Sequence, residues 1–391
     1  MDQEQKLFTA EFLILNIIFF FAATVMAVFF QFQHYLGSLG IASAWLGFLI
    51  AADSLASFIL QPFLSVYLNA GNARKWLFTG IFGMAVMLFS YGFALSLPLL
   101  IAVRVFHGAA FVCLISAIMA IIVDYIPSQK SGQAFGLISI VRLLPYSIVP
   151  PIVTMIDKTP SDFRTILVYG AFLMLISLVP AFKIKVSSPA GQSAASGQQQ
   201  INMQELSDDL KNKDIAVLFA VSLLLYSSYT VVFFFIKEYS HTRGIENPGY
   251  FFTIATAVMI GVRLFGGTFF DKVNKLILTM LCMAGLAVCY VLLSHISGVG
   301  MFYTLAFFIG LGWGIVMPVI YALIFDLSLP RFRGMNLNLS FVMMQGGFFI
   351  GPFLGGALLN HWGYNALFYF CGVLSILAAA LLYMIMQRRQ T

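Results

Sequence analysis

Long uncharged apolar runs dominate the chain, and short polar segments separate them. Residues 12–30, 165–182 and 215–236 contain no charged side chain. Because an α-helix rises about 1.5 Å per residue, roughly 20 such residues cross a hydrocarbon core of about 30 Å. Each of these runs therefore predicts one membrane-spanning helix.

Three longer apolar runs predict helical hairpins, because each contains a turn-forming segment near its middle. These segments are "SLP" (96–98), "SHISG" (294–298) and "NHWGYN" (360–365). The pattern as a whole predicts an all-α membrane protein of twelve transmembrane helices, in two bundles of six. The predicted spans, numbered 1 to 12 in chain order, are 12–34, 43–68, 76–95, 98–123, 132–154, 165–183, 214–236, 248–269, 276–294, 299–325, 334–358 and 365–386.

Composition and charge fix the environment and the orientation. The chain is 61% apolar and 9% charged, against about 25% charged residues in soluble domains. With the N-terminus inside, the predicted outer loops hold only Lys158, Arg164, Lys237 and Arg243, and most other basic residues fall on the cytoplasmic side. Short cytoplasmic loops retain Lys and Arg, so both termini are predicted to be cytoplasmic. The net charge of +6 is then a topology signal and predicts no nucleic-acid partner.

The chain also contains an internal repeat. "DYIPSQKSG" (124–132) matches "DLSLPRFRG" (326–334) at an offset of 202 residues, and the same offset carries Pro150 onto Pro352. A repeated six-span unit predicts a duplicated bundle.

A polar stretch separates the two copies and predicts the domain boundaries. We expect an N-terminal six-helix bundle at 1–186, a cytoplasmic linker at 187–213 and a C-terminal six-helix bundle at 214–391. The linker is rich in Ser, Gly and Gln, which is typical of flexible connections, and residues 203–210 predict a short surface helix within it.

Glycines recur at four-residue spacing in span 11. Gly347, Gly351 and Gly355 lie on one helical face. Small residues at this spacing let helices approach closely in lipid. We interpret this stripe as a packing surface that permits bending at Pro352.

Three motifs give a family resemblance. "RVFHG" (104–108), "GTFFDKVNK" (267–275) and "GGFFIGPFLGG" (346–356) resemble motifs of the major facilitator superfamily, and the likeness is closest to its drug and sugar-efflux (arabinose-efflux-permease-like) branch. The resemblance implies a secondary transporter that works by alternating access, with a substrate site near the bilayer midplane between the halves.

The resemblance also implies that charged loops form a cytoplasmic gate of ion pairs and helix-end contacts. The alternative is a solvated charged loop with topological meaning only, because exposed ion pairs are weak. The predicted gating residues are Asp124, Arg263, Asp271, Lys272, Lys275, Asp326 and Arg333.

Four titratable or charged residues lie deep in predicted spans of the N-terminal half: Asp53, Arg104, His107 and Arg142. A charge in the hydrocarbon core costs at least about 2.5–3.5 kcal/mol, so such residues usually face a wet cavity. None of the four recurs 202 residues later, as expected of residues that serve one ligand or proton. The alternative is a buried structural pair of Asp53 with one of the arginines.

These residues predict a site for an acidic or zwitterionic substrate, because two arginines against one aspartate leave a positive surplus. Asp53 and His107 are the candidate proton-coupling residues, since each side chain can change protonation state. The predicted substrate-binding residues are Arg104, Arg142, Tyr146, Tyr226, Tyr229 and Trp313.

The leading hypothesis is therefore a monomeric, proton-coupled exporter in the plasma membrane, most simply a bacterial inner membrane. The alternatives are an uptake symporter or facilitator for an organic anion, or a membrane receptor or scaffold that does not transport. An enzyme is not predicted, because the sequence lacks HExxH and other supported catalytic patterns. No cofactor is predicted, and the four cysteines fall in spans without CxxC spacing, which argues against a metal site.

Overall fold

The computed structural model describes residues 8–68, 71–126, 131–156, 159–184, 212–265, 273–329 and 332–390, and these residues contain helices and no β-strand. Only helices and closed barrels satisfy every backbone polar group in lipid, so the apolar runs become helices. This confirms the predicted all-α class. The helices are Ala10–Val28 and Phe32–Ser38 (span 1, joined by the 3-10 turn Phe29–Gln31), Ser43–Tyr67 (2), Ala73–Ser90 (3), Leu97–Ile122 (4), Ser131–Ile156 (5), Pro160–Ala181 (6), Lys213–Thr242 (7), Gly249–Phe265 (8), Lys275–Leu293 (9), Val299–Leu327 (10) and Arg333–Gln390 (11 and 12).

Nine helices of the described ranges are long and apolar enough to cross a membrane, and the last of them contains both span 11 and span 12. Gly363 separates these two spans with φ 75° and ψ −173°. Only glycine adopts such a backbone conformation readily, so the break falls inside the predicted "NHWGYN" turn. Spans 3 and 8 are not among the nine helices. Span 8 is only 17 residues long, and span 3 carries Arg74 and Lys75 in its first turn.

The helix bounds depart from the predicted spans mainly at the outer side. Span 1 continues to Ser38 and span 7 continues to Thr242. Polar residues at a span end do not stop a helix: Lys237 and Ser240 are buried and Thr242 is exposed, and the helix continues through all three. Hydropathy alone therefore underestimates both lengths.

The helices group into two compact units. The first comprises Met1–Ile41 and Leu55–Gly197, and the second comprises Ala42–Ser54 and Gln198–Thr391. Span 2 is thus divided, and its outer part belongs to the second unit. The predicted linker falls almost entirely outside the described residues, so the predicted domain boundaries stay a prediction.

Glycine allows close helix packing within the first unit. A Cβ on Gly80 of span 3 would lie 2.6 Å from the backbone nitrogen and Cα of Leu114 in span 4. Gly83, one turn later, faces Ala110 at 3.0 Å. Spans 3 and 4 therefore meet backbone to backbone.

The second unit uses the same device more often. A Cβ on Gly310 of span 10 would lie 2.5 Å from the carbonyl oxygen of Ala255 in span 8. Gly347 and Gly351 face the backbone of span 7 around Ser227. The glycine stripe of span 11 is therefore a packing surface, as predicted.

The divided span 2 is held in the second unit by a further glycine contact. The Cα atoms of Gly47 and Gly356 face each other, and a Cβ on Gly47 would lie 2.5 Å from the carbonyl oxygen of Pro352. The Phe48 and Phe353 rings are 6.4 Å apart. Trp45 and Trp362 lie near this contact in sequence and are 44% and 69% exposed, as expected of an aromatic belt at an interface.

Adding one methyl group at Gly310 tests the packing argument. We expect Gly310→Ala to destabilise the protein by about 1–3 kcal/mol, because the new Cβ overlaps the backbone of span 8 and forces the helices apart. The measurement is the midpoint of thermal unfolding in detergent. Gly285→Ala is the matched control, because a Cβ there meets nothing within 4 Å and alanine favours the helix. Equal midpoints for the two variants would contradict the argument.

Candidate functional site

Arg104 lies in a closed aromatic environment in the first unit. Its side chain has no solvent exposure. The guanidinium carbon lies 5.0 Å from the Phe29 ring centre and 4.7 Å from that of Phe32. Its Nη1 donates to the Tyr91 hydroxyl at 3.5 Å. Aromatic faces and a phenol oxygen thus stabilise the positive charge in place of water.

His107 belongs to the same environment. Its Nδ1 lies 3.1 Å from the Tyr91 hydroxyl oxygen, and its ring centre lies 5.0 Å from that of Phe29. The imidazole is fully buried, and Nε2 has no hydrogen-bond partner among the described residues. The Tyr91 hydroxyl therefore links the two sequence-predicted residues. We call Phe29, Phe32, Tyr91, Arg104 and His107 the arginine cluster.

Two members of the arginine cluster had no sequence signal. Tyr91 and Phe32 lie at the outer ends of spans 3 and 1, where aromatic residues are common for interfacial reasons alone. Only the packing of spans 1, 3 and 4 identifies them as partners of Arg104.

Arg142 contrasts with Arg104, because its side chain is exposed. Its guanidinium carbon lies 5.6 Å from the Phe19 ring centre, so an aromatic face covers one side. Pro145, one turn later in the same helix, has no N–H to donate to the carbonyl oxygen of Val141. Tyr146, also one turn from Arg142, is half-buried. Span 5 thus presents a cation and a phenol beside an interrupted backbone ladder.

Asp53 lies in the part of span 2 that belongs to the second unit. Its side chain is 5% exposed, and Oδ1 accepts the backbone N–H of Ser54 at 2.8 Å. The carboxylate is therefore held close to its own backbone. Its pairing with Arg104 or Arg142 stays a prediction.

The second unit brings the three predicted aromatic residues together. The Tyr229 ring centre lies 4.6 Å from that of Trp313 and 6.2 Å from that of Phe348. Tyr226 packs edge-on against Phe348 at 5.6 Å. The fully buried Trp313 donates Nε1–H to the Tyr290 hydroxyl at 2.9 Å, which fixes the indole. We call Tyr226, Tyr229, Trp313 and Phe348 the aromatic cluster.

The tyrosines in and beside this cluster differ in their hydrogen-bond partners and in their exposure. The Tyr226 hydroxyl lies 3.3 Å from the Tyr321 hydroxyl, a pair that the sequence spacing of 95 residues does not indicate. Tyr226 is almost buried, whereas Tyr229 and Tyr321 are half-buried. Tyr229 of this cluster and its neighbour Tyr321 are therefore the more exposed of the three tyrosines.

Two predicted gating residues form an ion pair. Lys275 Nζ, at the start of span 9, lies 2.7 Å from Asp326 Oδ2, near the end of span 10. The two side chains are 24% and 45% exposed, so water screens the pair. Arg333 lies elsewhere, with its guanidinium carbon 4.3 Å from the Phe325 ring centre.

The other predicted gating residues lie partly outside the described residues. Asp271 and Lys272 lie outside the described residues, as does the side chain of Asp124, whose backbone is in the 3-10 turn Val123–Tyr125. Arg263 lies in the last turn of span 8. Their gating roles stay predictions.

A second ionic contact on the predicted cytoplasmic side was missed. Asp214 accepts from Arg389 Nε at 3.0 Å and lies 3.9 Å from Arg388. It joins the start of span 7 to the end of span 12. In the sequence, the two C-terminal arginines indicated only the cytoplasmic side, because no local pattern shows which helix ends are neighbours.

Comparison with known proteins identifies the family to which this helical architecture belongs. The family model described as "Major Facilitator Superfamily" matches residues 12–335 and 297–391. The staphylopine export protein of Staphylococcus aureus is 21% identical over 373 residues, covering 93% of this chain and 92% of that protein. The multi-drug resistance efflux pump PmrA of Streptococcus pneumoniae is 22% identical over 353 residues, covering 85% and 84%.

Solved structures share the fold. The nucleoside transporter NupG superposes with a TM-score of 0.74 at 15% identity, covering 97% of this chain and 99% of that one. The D-xylose–proton symporter gives a TM-score of 0.74 at 14% identity, covering 96% and 97%. The match to a family of transporters confirms that the chain is not an enzyme, and it confirms the resemblance carried by the three sequence motifs. The chain is an integral membrane transporter that belongs to the Major Facilitator Superfamily.

Proposed function

We propose that this transporter exports a small organic molecule with an anionic or zwitterionic group across the plasma membrane, most simply a bacterial inner membrane, by proton-coupled alternating access. The observation that carries the proposal is the exposed guanidinium of Arg142 in the middle of an apolar span. The chain is proposed to act as a monomer, without a cofactor.

Arg142 supports a substrate path because of where its charge is exposed. It lies eleven residues after the first residue of the helix Ser131–Ile156, which corresponds to about 16 Å along the axis. At that depth an exposed guanidinium faces either hydrocarbon or water, and hydrocarbon is costly. A water-filled path is therefore favoured. A guanidinium there binds carboxylate or phosphate groups with paired hydrogen bonds.

Arg104 has a different role in this proposal. Aromatic faces and the Tyr91 hydroxyl already occupy its guanidinium, and its side chain is fully buried. We assign Arg104 to holding spans 1, 3 and 4 together, and Arg142 to direct contact with the substrate.

Asp53 is the stronger candidate for the coupling proton. His107 shares a closed cluster with the permanent charge of Arg104, so a second positive charge there would be repelled. Asp53 is nearly buried in a span, where a charge is costly, and a carboxylate that takes up a proton becomes neutral.

The aromatic cluster supports a substrate with an apolar part. Tyr229 and Phe348 stack at 6.2 Å with a 22° angle between their planes, and both are half-buried. Flat rings with reachable phenol groups bind amphipathic molecules through their faces and hydroxyls. Tyr146 of the first unit offers a further phenol near Arg142.

The direction of transport is inferred from the relatives. Two that cover more than four-fifths of the chain are named as an export protein and an efflux pump. The structural neighbours include a protein named as a proton symporter, but likeness at 14% identity supports the fold alone. Uptake of an organic anion is the alternative that flux measurements distinguish.

Neutralising Arg142 tests the substrate contact. We expect Arg142→Ala to reduce pH-gradient-driven flux of an anionic or zwitterionic substrate by about tenfold or more, because one charge-assisted hydrogen bond contributes about 1.5–3 kcal/mol. The measurement is flux into and out of proteoliposomes, run over a panel of organic anions and amphipathic molecules.

Arg142→Lys is the matched control, because it keeps the charge but loses the paired hydrogen-bond geometry. Its flux should lie between that of the wild-type protein and that of Arg142→Ala. Normal flux by Arg142→Ala would exclude the proposed contact. A panel on which the wild-type protein moves nothing in either direction would favour a receptor or scaffold instead.

Removing the titratable group at Asp53 separates coupling from binding. We expect Asp53→Asn to lose flux driven by a pH gradient and to retain substrate exchange across the membrane without a gradient, because the amide still fits but cannot carry a proton. Both quantities are measured in the same vesicles. His107→Gln is the comparison variant, and loss of gradient-driven flux there with retention in Asp53→Asn would transfer the role to His107.

Exchanging the partners of the Lys275–Asp326 pair tests the gate. We expect Lys275→Asp and Asp326→Lys each to change the exchange rate about twofold to fivefold, since an exposed ion pair contributes up to about 1 kcal/mol. The double variant should recover the wild-type rate. Additive effects in the double variant would show that the pair does not act in gating.

A further inference from the structure

A recess of about 300 Å³ lies on the surface of the first unit, at the predicted outer side, between the ends of spans 3 and 6. Gly92, Ser161, Arg164, Thr165 and Val168 line it. None of these residues belongs to the proposed substrate path. Gly92 has no side chain, which leaves room beside the first turns of span 6.

Arg164 gives the recess a permanent positive charge. The side chain is half-buried, and its Nε has no hydrogen-bond partner among the described residues. The nearby carboxylate of Asp162 accepts the Thr159 N–H at 2.7 Å and so caps the helix. The charge of a guanidinium that lines a recess attracts anionic oxygens and binds them through charge-assisted hydrogen bonds.

The recess lies at the level of the lipid headgroups. Arg164 lies four residues after the first residue of the helix Pro160–Ala181, which is about 6 Å along the axis. The Ser161 and Thr165 hydroxyls lie on the same helical face, one turn apart. Polar groups at this level face the interface rather than the hydrocarbon.

An exposed apolar stripe continues from the recess toward the membrane interior. It follows span 6 at the spacing of one helical face and consists of Tyr169, Phe172, Ile176 and Val179, which are 67%, 56%, 60% and 67% exposed. Phe89 and Phe93 of span 3 are also exposed. Acyl chains pack on such a surface, whereas a free anion gains nothing from it.

We propose that this recess binds the phosphate group of a phospholipid of the outer leaflet, with Arg164 as the anion-binding residue and the span 6 stripe as the acyl-chain contact. The charge selects the phosphate, and the continuous apolar stripe selects a lipid over a soluble anion. This site is separate from the residues proposed to bind the transported substrate.

Native mass spectrometry of the intact protein in mixed micelles tests this site. The probes are phosphatidylglycerol and a neutral diglucosyl diacylglycerol with the same acyl chains. We expect the wild-type protein to retain phosphatidylglycerol preferentially, and Arg164→Gln to retain about tenfold less, as loss of a charge-assisted hydrogen bond implies. Arg164→Lys should keep most of the retention.

Arg243→Gln is the matched control. Arg243 is also a predicted outer-side arginine, but its Nη2 donates to the Ser294 carbonyl oxygen at 3.3 Å and its guanidinium lies 5.4 Å from the Tyr239 ring centre. Its substitution should leave phosphatidylglycerol retention unchanged. The thermal midpoint of each variant shows that it is folded.

Three results would overturn the proposal. One is equal retention of phosphatidylglycerol by the wild-type protein and Arg164→Gln. Another is equal retention of the neutral glycolipid and phosphatidylglycerol by the wild-type protein. The third is Arg164-dependent binding of inorganic phosphate as tight as that of the lipid, which would identify a soluble-anion site.

Discussion

Close backbone approach at glycines is the constraint on which the helical units depend. In lipid, apolar side chains gain little by leaving one hydrocarbon surface for another, so association relies on tight packing. Gly80 against Leu114, Gly310 against Ala255 and Gly351 against Ser227 place helices too close for any side chain. These contacts fix the spacing of spans 3 and 4, 8 and 10, and 7 and 11. The polar residues described above are positioned by this spacing.

The same constraint explains why span 2 is shared between two units. Gly47 meets Gly356 of span 11 near the outer end, whereas Ser57, ten residues later in the same helix, donates to the Gly108 carbonyl oxygen in the first unit. One continuous helix thus packs with a different unit at each end.

The buried and exposed arginines illustrate how a membrane protein uses permanent charge. Arg104 is enclosed by Phe29, Phe32 and Tyr91, and its charge contributes to packing. Arg142 is exposed, with the Phe19 ring on one side, so its charge is available to a ligand. The two residues are equivalent in a hydropathy profile, because each is a single cation in an apolar run. Their surroundings separate a structural role from a binding role.

The sequence by itself determined the helical class, the twelve spans and the turn at "NHWGYN" between spans 11 and 12. These features depend on local properties: the length of the apolar runs and the turn-forming residues that interrupt them. It also selected Tyr226, Tyr229 and Trp313, and the Lys275–Asp326 pair, as members of sets that the fold brings together. The tertiary structure alone decided that Tyr91 links Arg104 to His107, that Asp214 binds the C-terminal arginines, and that the outer part of span 2 joins the second unit. Apolar helical faces are alike in composition, so no local pattern shows which two of them meet. The pairing depends on how well their surfaces fit together, and residues far apart in the sequence form those surfaces.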